Sequence, residues 1–240
     1  MSAEYGARRE FALVAGTSRR MLTPLVASAC AVLATACGPA GGPHAALREQ
    51  VLSASVDSGA SAVDAPRGNR GYTATFGAFI LCSRRPSVVP EIEGVTPQAG
   101  SPAPISFHAV LRLVTGRYVS RHPEDTTSDF APLGFTLGSP PDFSESYAGL
   151  SPPGRYRSVE GYRVSTSCRD AEQAVGKVGP GTGPRYAIAE LMVVLTSGPS
   201  GGVVRSFTID YRVGSRQYHL PVHWEVANCG PAVKGLSCRN

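Results

Sequence analysis

The sequence predicts an all-β fold, an immunoglobulin-like β-sandwich of about seven strands stabilised by disulfides. Three observations lead there. Apolar residues recur every second position in several short runs, which is the strand period. Gly (27) and Pro (20) are plentiful and punctuate those runs with turn signals. No amphipathic 3.6-residue pattern lasts beyond a turn or two. Seven short strands with frequent turns belong to a sandwich.

Taking the elements in order, 72-YTATFGAFILC-82 is aromatic and β-favouring, with Tyr72, Phe76 and Ile80 on one face. Shorter strand candidates lie at 91–96, 133–137 and 157–167. The run Ile105–Leu113 alternates, and His108 and Arg112 fall on its outward face. A short helix is expected at Asp170–Val175. In 186-YAIAELMVVLTS-197 both faces are apolar except at Glu190, the pattern of a central strand buried on both sides.

The strongest signal is near the end. Phe207, Ile209, Tyr211 and Val213 alternate with polar residues, then Gly214-Ser215 intervene, then Tyr218, Leu220, Val222, Trp224 and Val226 resume. That predicts a β-hairpin with both apolar faces on one core. Pro221 lacks a ladder donor and belongs at an edge or pointing outward.

The first 36 residues read differently. Arg19-Arg20 precedes 21-MLTPLVASACAVLATA-36, sixteen residues without a charge. This is short for a membrane span of about 20 residues and suits the apolar region of a secretory signal. It ends in Leu33-Ala34-Thr35-Ala36-Cys37, with a second, poorer candidate at Val26–Cys30. The first motif resembles the lipobox of bacterial lipoproteins. The resemblance implies that the leader 1–36 is cut before Cys37, that the Cys37 thiol carries diacylglycerol, and that the protein is held at the extracytoplasmic face of the cell membrane. Two or more acyl chains hold a protein there stably. The arginine pairs Arg8-Arg9 and Arg19-Arg20 fit either general or twin-arginine export.

Residues 37–70 are rich in Ala, Gly, Ser and Pro. They are expected to form a flexible, lipid-anchored tether, with room for one short helix at Ala45–Val56. The sandwich is expected over 71–229 and a tail over 230–240. The C-terminal half also resembles actinobacterial lipoproteins of unassigned role, on its strand pattern and its bias of 21 Arg to 2 Lys.

Outside the leader four cysteines remain: Cys82, Cys168, Cys229 and Cys238. An even number in an exported chain implies two disulfides. Cys229 and Cys238 are close in sequence and easy to close, leaving Cys82 with Cys168. The rival pairing joins Cys82 to Cys229.

Chemistry-bearing motifs are sparse. The net charge is +5 and scattered, which argues against nucleic acid as partner. Gly149-Leu-Ser151 lacks the spacing of a nucleophile elbow, and 179-GPGTG-183 lacks the Lys of a phosphate loop. His219 and His223 sit about 13 Å apart along one strand, too far to share a metal. The His122, Glu124, Asp125 and Asp129 loop fits no calcium motif. No catalytic residue, metal or cofactor is assigned. The long segment 116–161 carries Phe130, Phe135, Phe143, Tyr147 and Tyr156. These are candidate contacts for an envelope protein or glycan, unless they fold back as core. The expected function is a lipid-anchored envelope protein with a non-enzymatic binding or structural role. An envelope hydrolase with a dispersed active site and a metal-handling surface protein are the alternatives.

Overall fold

The computed structural model describes residues 50–56, 58–66, 68, 70–115, 117, 135–139, 154–175, 187–236 and 238. They belong to a unit spanning Gly41–Asn240. Every described strand, both disulfides and the buried core fall inside it, so this segment carries what it needs to fold by itself.

The fold is an all-β sandwich. Its strands are β1 (Leu52–Ser53), β2 (Ser58–Val63), β3 (Tyr72–Ile80), β4 (Cys82–Ser83), β5 (Glu91–Ala99), β6 (Ser106–Thr115), β7 (Phe135–Leu137), β8 (Arg155–Ser158), β9 (Ala187–Ser197), β10 (Gly202–Val213) and β11 (Arg216–Asn228). The helix α1 (Cys168–Ala174) lies between β8 and β9. A four-stranded sheet runs β2-β11-β10-β5, a five-stranded sheet runs β7-β3-β9-β6-β8, and β1 pairs with β4. The strand count thus exceeds the expected seven.

The hairpin is where the alternation predicts it. Val213 pairs with Arg216 across Gly214-Ser215, and Gly214 takes a positive φ of 60° that this tight loop requires. Pro221 is exposed opposite Thr208, and β2 starts only opposite His223, so the missing donor leaves no gap in the ladder. Pro97 lies within β5, which is an edge strand of its sheet and so tolerates the missing donor. Inward residues of the hairpin, Phe207, Ile209, Tyr211, Leu220, Val222 and Val226, meet Ala74, Phe76, Phe79, Leu191, Val193 and Leu195 from the other sheet. The Phe79 ring stands edge-on to Phe207 at 5.0 Å and to Trp224 at 6.0 Å.

Strand β9 is central and buried on both faces, as its composition predicts. Its second face is covered in part by α1. Ile80, Val114 and Ile188 pack there against Ala171 and Ala174. The helix starts where Ser167 Oγ accepts from the Asp170 backbone N–H at 3.1 Å, close to the expected Asp170–Val175.

Two expectations are corrected. The tether expected over 37–70 is structured in its second half, because residues 52–53 and 58–63 are strands and Val51–Ser53 forms no helix. β2 runs parallel to β11 and is led in by contacts a hydropathy pattern does not show. Gly59 lies under the Trp224 ring, where a β-carbon would collide with it. Trp224 Nε1 donates to Ser61 Oγ at 3.1 Å. The expected tail is also folded in. Val233 is buried against Val203 and Ala227, and Cys238 is bonded to Cys229.

Candidate functional site

The outer face of the four-stranded sheet carries a series of cross-strand polar pairs. Alternation forces it: each inward apolar residue of β10 and β11 sends a polar neighbour outward. On β10 these are Ser206, Thr208, Asp210 and Arg212. On β11 they are Gln217, His219, Pro221, His223 and Glu225. Cross-strand pairs link them into a ladder. His219 Nδ1 lies 2.6 Å from Asp210 Oδ1, its direct partner in register. Thr96 Oγ1 donates to the other Asp210 oxygen at 3.3 Å. Arg212 Nη2 donates to Glu91 Oε1 at 2.5 Å, and its Nε lies 3.7 Å from Glu93. The hydrogen bond from Arg212 to Glu91 raises the guanidinium pKa above its ordinary value. Gln217 Nε2 donates to Glu93 at 3.2 Å, and Ser206 Oγ to Gln98 at 2.7 Å.

This face can recognise polar groups, but the Asp210–His219 pair lacks a nucleophile. Thr96 donates its hydroxyl proton to Asp210, on the wrong side of the pair to be activated by His219. The His219 side chain is 72% exposed, so water surrounds its remaining nitrogen. His223 is exposed and Glu225 half-buried. Among the described residues, no three His, Cys, Asp or Glu side chains gather to hold a metal ion.

A second polar centre is buried in the five-stranded sheet. Arg112, expected on an outward face with His108, is only 2% exposed. Its Nε donates to Glu190 Oε2 at 2.6 Å, and Nη2 lies 2.5 Å from the same oxygen. Glu190 Oε1 accepts from the Ala78 N–H at 2.6 Å. The register places Glu190 directly opposite Arg112 on β6 and opposite Ile80 on β3. Ala78 sits in the bulge between Phe76 and Phe79 with φ of 73°, which is unusual for a residue with a β-carbon. The carboxylate therefore fixes a strained bulge on one side and a buried cation on the other. Arg112 faces away from the sandwich core, as alternation predicts. What the alternation does not show is the second layer over that face. The lone Glu190 in an apolar run was the visible signal, and its partner could have been sought among outward arginines of a neighbouring strand.

The disulfides are Cys82–Cys168 and Cys229–Cys238, one of the three pairings that four cysteines allow. Of the candidate contact aromatics, Phe135 and Tyr156 are described and the structure does not bring them together. Phe135 is half-buried against the main core on β7, and Tyr156 is half-buried on β8 opposite Arg112. These strands are the two opposite edges of one sheet. Phe130, Phe143, Tyr147 and the proposed lipid carrier Cys37 lie outside the described residues. His108 is exposed and bonds Ser139 Oγ at 3.2 Å. No helix among the described residues is long and apolar enough to cross a membrane.

No protein-family model matches the chain, and no curated protein matches it.

Proposed function

We propose that the chain is a lipid-anchored protein of the cell envelope with a non-enzymatic binding or structural role, tethered through Cys37. The observation that carries this reading is the closure of all four cysteines outside the leader into two disulfides. Such bonds persist in oxidising, extracytoplasmic compartments, and they agree with a lipobox-like leader. The polar ladder around Asp210, Arg212, Gln217 and His219 supports the binding role. It is rigid, cross-linked and open to solvent, and it suits a polar partner such as a glycan or a protein surface. The hydrolase alternative would need a hydroxyl or thiol beside His219, and the metal alternative would need converging ligands.

Fractionation of cells making the protein tests the reading. The parent is expected in the membrane fraction and the Cys37→Ala variant in the soluble extracytoplasmic or unprocessed fraction. A parent found free in the cytosol overturns it.

A further inference from the structure

The folded region begins earlier than composition suggests, and this changes how close the sandwich can stand to a membrane. Gln50 is only thirteen positions after Cys37. At roughly 3.3–3.6 Å per residue the linker reaches at most about 45 Å. With Cys37 lipidated, the corner where the chain joins the fold lies within that reach of the bilayer.

That corner is built from three adjacent extended segments. β1 pairs with β4 so that Leu52 faces Ser83, and the Arg84 N–H donates to Val51 O at 2.7 Å. On the other side of β4, Ser83 bridges Ser167 in parallel and its N–H donates to Thr166 O at 2.8 Å. The Cys82–Cys168 disulfide fastens the same two segments at a Cα separation of 4.7 Å. Arg84 and Arg85 thus lie beside the arriving chain, and Arg169 directly follows the bonded Cys168. All three are exposed. Two carboxylates stand nearby on α1. Asp170 accepts from Oγ of Ser167, the helix N-cap, at 2.7 Å, and Glu172 is exposed.

We propose that this corner is a second membrane contact, in which Arg84, Arg85 and Arg169 bind anionic phospholipid headgroups and hold the sandwich against the bilayer that carries its anchor. The proposal rests on the lipid-anchor reading, which explains why this corner rather than another meets the membrane. Guanidinium groups pair bidentately with phosphate, and each basic residue near an anionic surface changes partitioning by roughly fivefold. Three together change it by roughly a hundredfold, provided the headgroups lie within a Debye length of about 8–10 Å.

The test uses residues 41–240, disulfides formed and no lipid attached, with vesicles of phosphatidylglycerol or of phosphatidylcholine at low ionic strength. Co-sedimentation is expected with phosphatidylglycerol only, to weaken with added salt, and to fall at least tenfold in the variant carrying Arg84→Gln, Arg85→Gln and Arg169→Gln. Arg205→Gln with Lys234→Gln removes two exposed charges from another part of the sandwich; as the control it is expected to retain binding within about threefold. Equal sedimentation with both lipids, or unchanged binding by the triple variant with its circular dichroism intact, overturns the proposal. Because this segment lacks Cys37, its failure is separate from that of the anchor, which the mass of the native protein reports.

Discussion

Glu190 has two obligations at once, and each of its oxygens meets one. It neutralises Arg112 across the β6–β9 ladder and receives the Ala78 N–H turned toward it by the β3 bulge. Replacing one partner of such a buried pair leaves an uncompensated charge, which costs about 3–5 kcal/mol. Glu190→Leu is therefore expected to lower the urea unfolding free energy by that amount. The double variant Arg112→Met, Glu190→Leu is expected to recover part of the loss. A single variant within about 0.5 kcal/mol of the parent would contradict the role assigned to Glu190. Tyr72 links the two sheets. Its hydroxyl donates to Val63 O at 2.7 Å and lies 3.0 Å from Cys229 O. Burial, then the Asp64 charge, push its pKa well above the tyrosine range, while the Cys229 contact opposes them. A raised folded pKa means the stabilisation is complete below the ordinary value of about 10 and is lost as pH rises through the folded value. Tyr211 and Tyr162 are pushed up by the same burial. Tyr72→Phe is expected to cost about 1–3 kcal/mol at neutral pH and to flatten the loss of stability above pH 10. A variant whose alkaline limb matches the parent's would contradict this.

At the scale of the element, the sequence was legible where one face is wet. The β10–β11 hairpin and its Gly214 turn follow from side-chain period, and the doubly buried β9 from an unbroken apolar run. β1 and β2 do not. Ser58–Val63 has no large residue until its last position, and it becomes a strand because Trp224 needs a glycine opposite and β11 offers it a ladder. That information lies in the pairing of Ser58 and its neighbours with His223 and its neighbours, far along the chain, and no local pattern contains it. The candidate site divides in the same way. His219 was visible as an outward residue, whereas its pairing with Asp210 needed the hairpin register. The disulfides act on elements of different reach. Cys82–Cys168 closes a separation of 86 residues and ties α1 to the β1–β4 corner, while Cys229–Cys238 closes only 9 and pins the C-terminal segment. Loop-closure entropy gives about 4.6 and about 2.6 kcal/mol respectively. Paired Cys→Ser variants are expected to rank in that order in thermal unfolding, and the reverse order would contradict it.

At the scale of the whole molecule, two faces of the sandwich have different characters. The hairpin sheet shows solvent a polar ladder, and the far face of the other sheet is buried around Glu190 and Met192. The arriving chain is stitched in by β1, with the Val51 N–H donating to the Tyr211 hydroxyl at 3.3 Å. A pull on the linker is thus transmitted directly to the core, which suits a domain held from its N-terminal side. The two disulfides agree with the proposed placement of this sandwich outside the cytoplasm. The most direct measurement is the intact mass of the protein purified from its own cells. The account predicts a chain beginning at Cys37, heavier than its amino acids by a diacylglycerol with or without a further acyl group, and lighter by four hydrogens for two disulfides. A chain that retains its first 36 residues, carries no lipid and has Cys82, Cys168, Cys229 and Cys238 free to alkylation would contradict it.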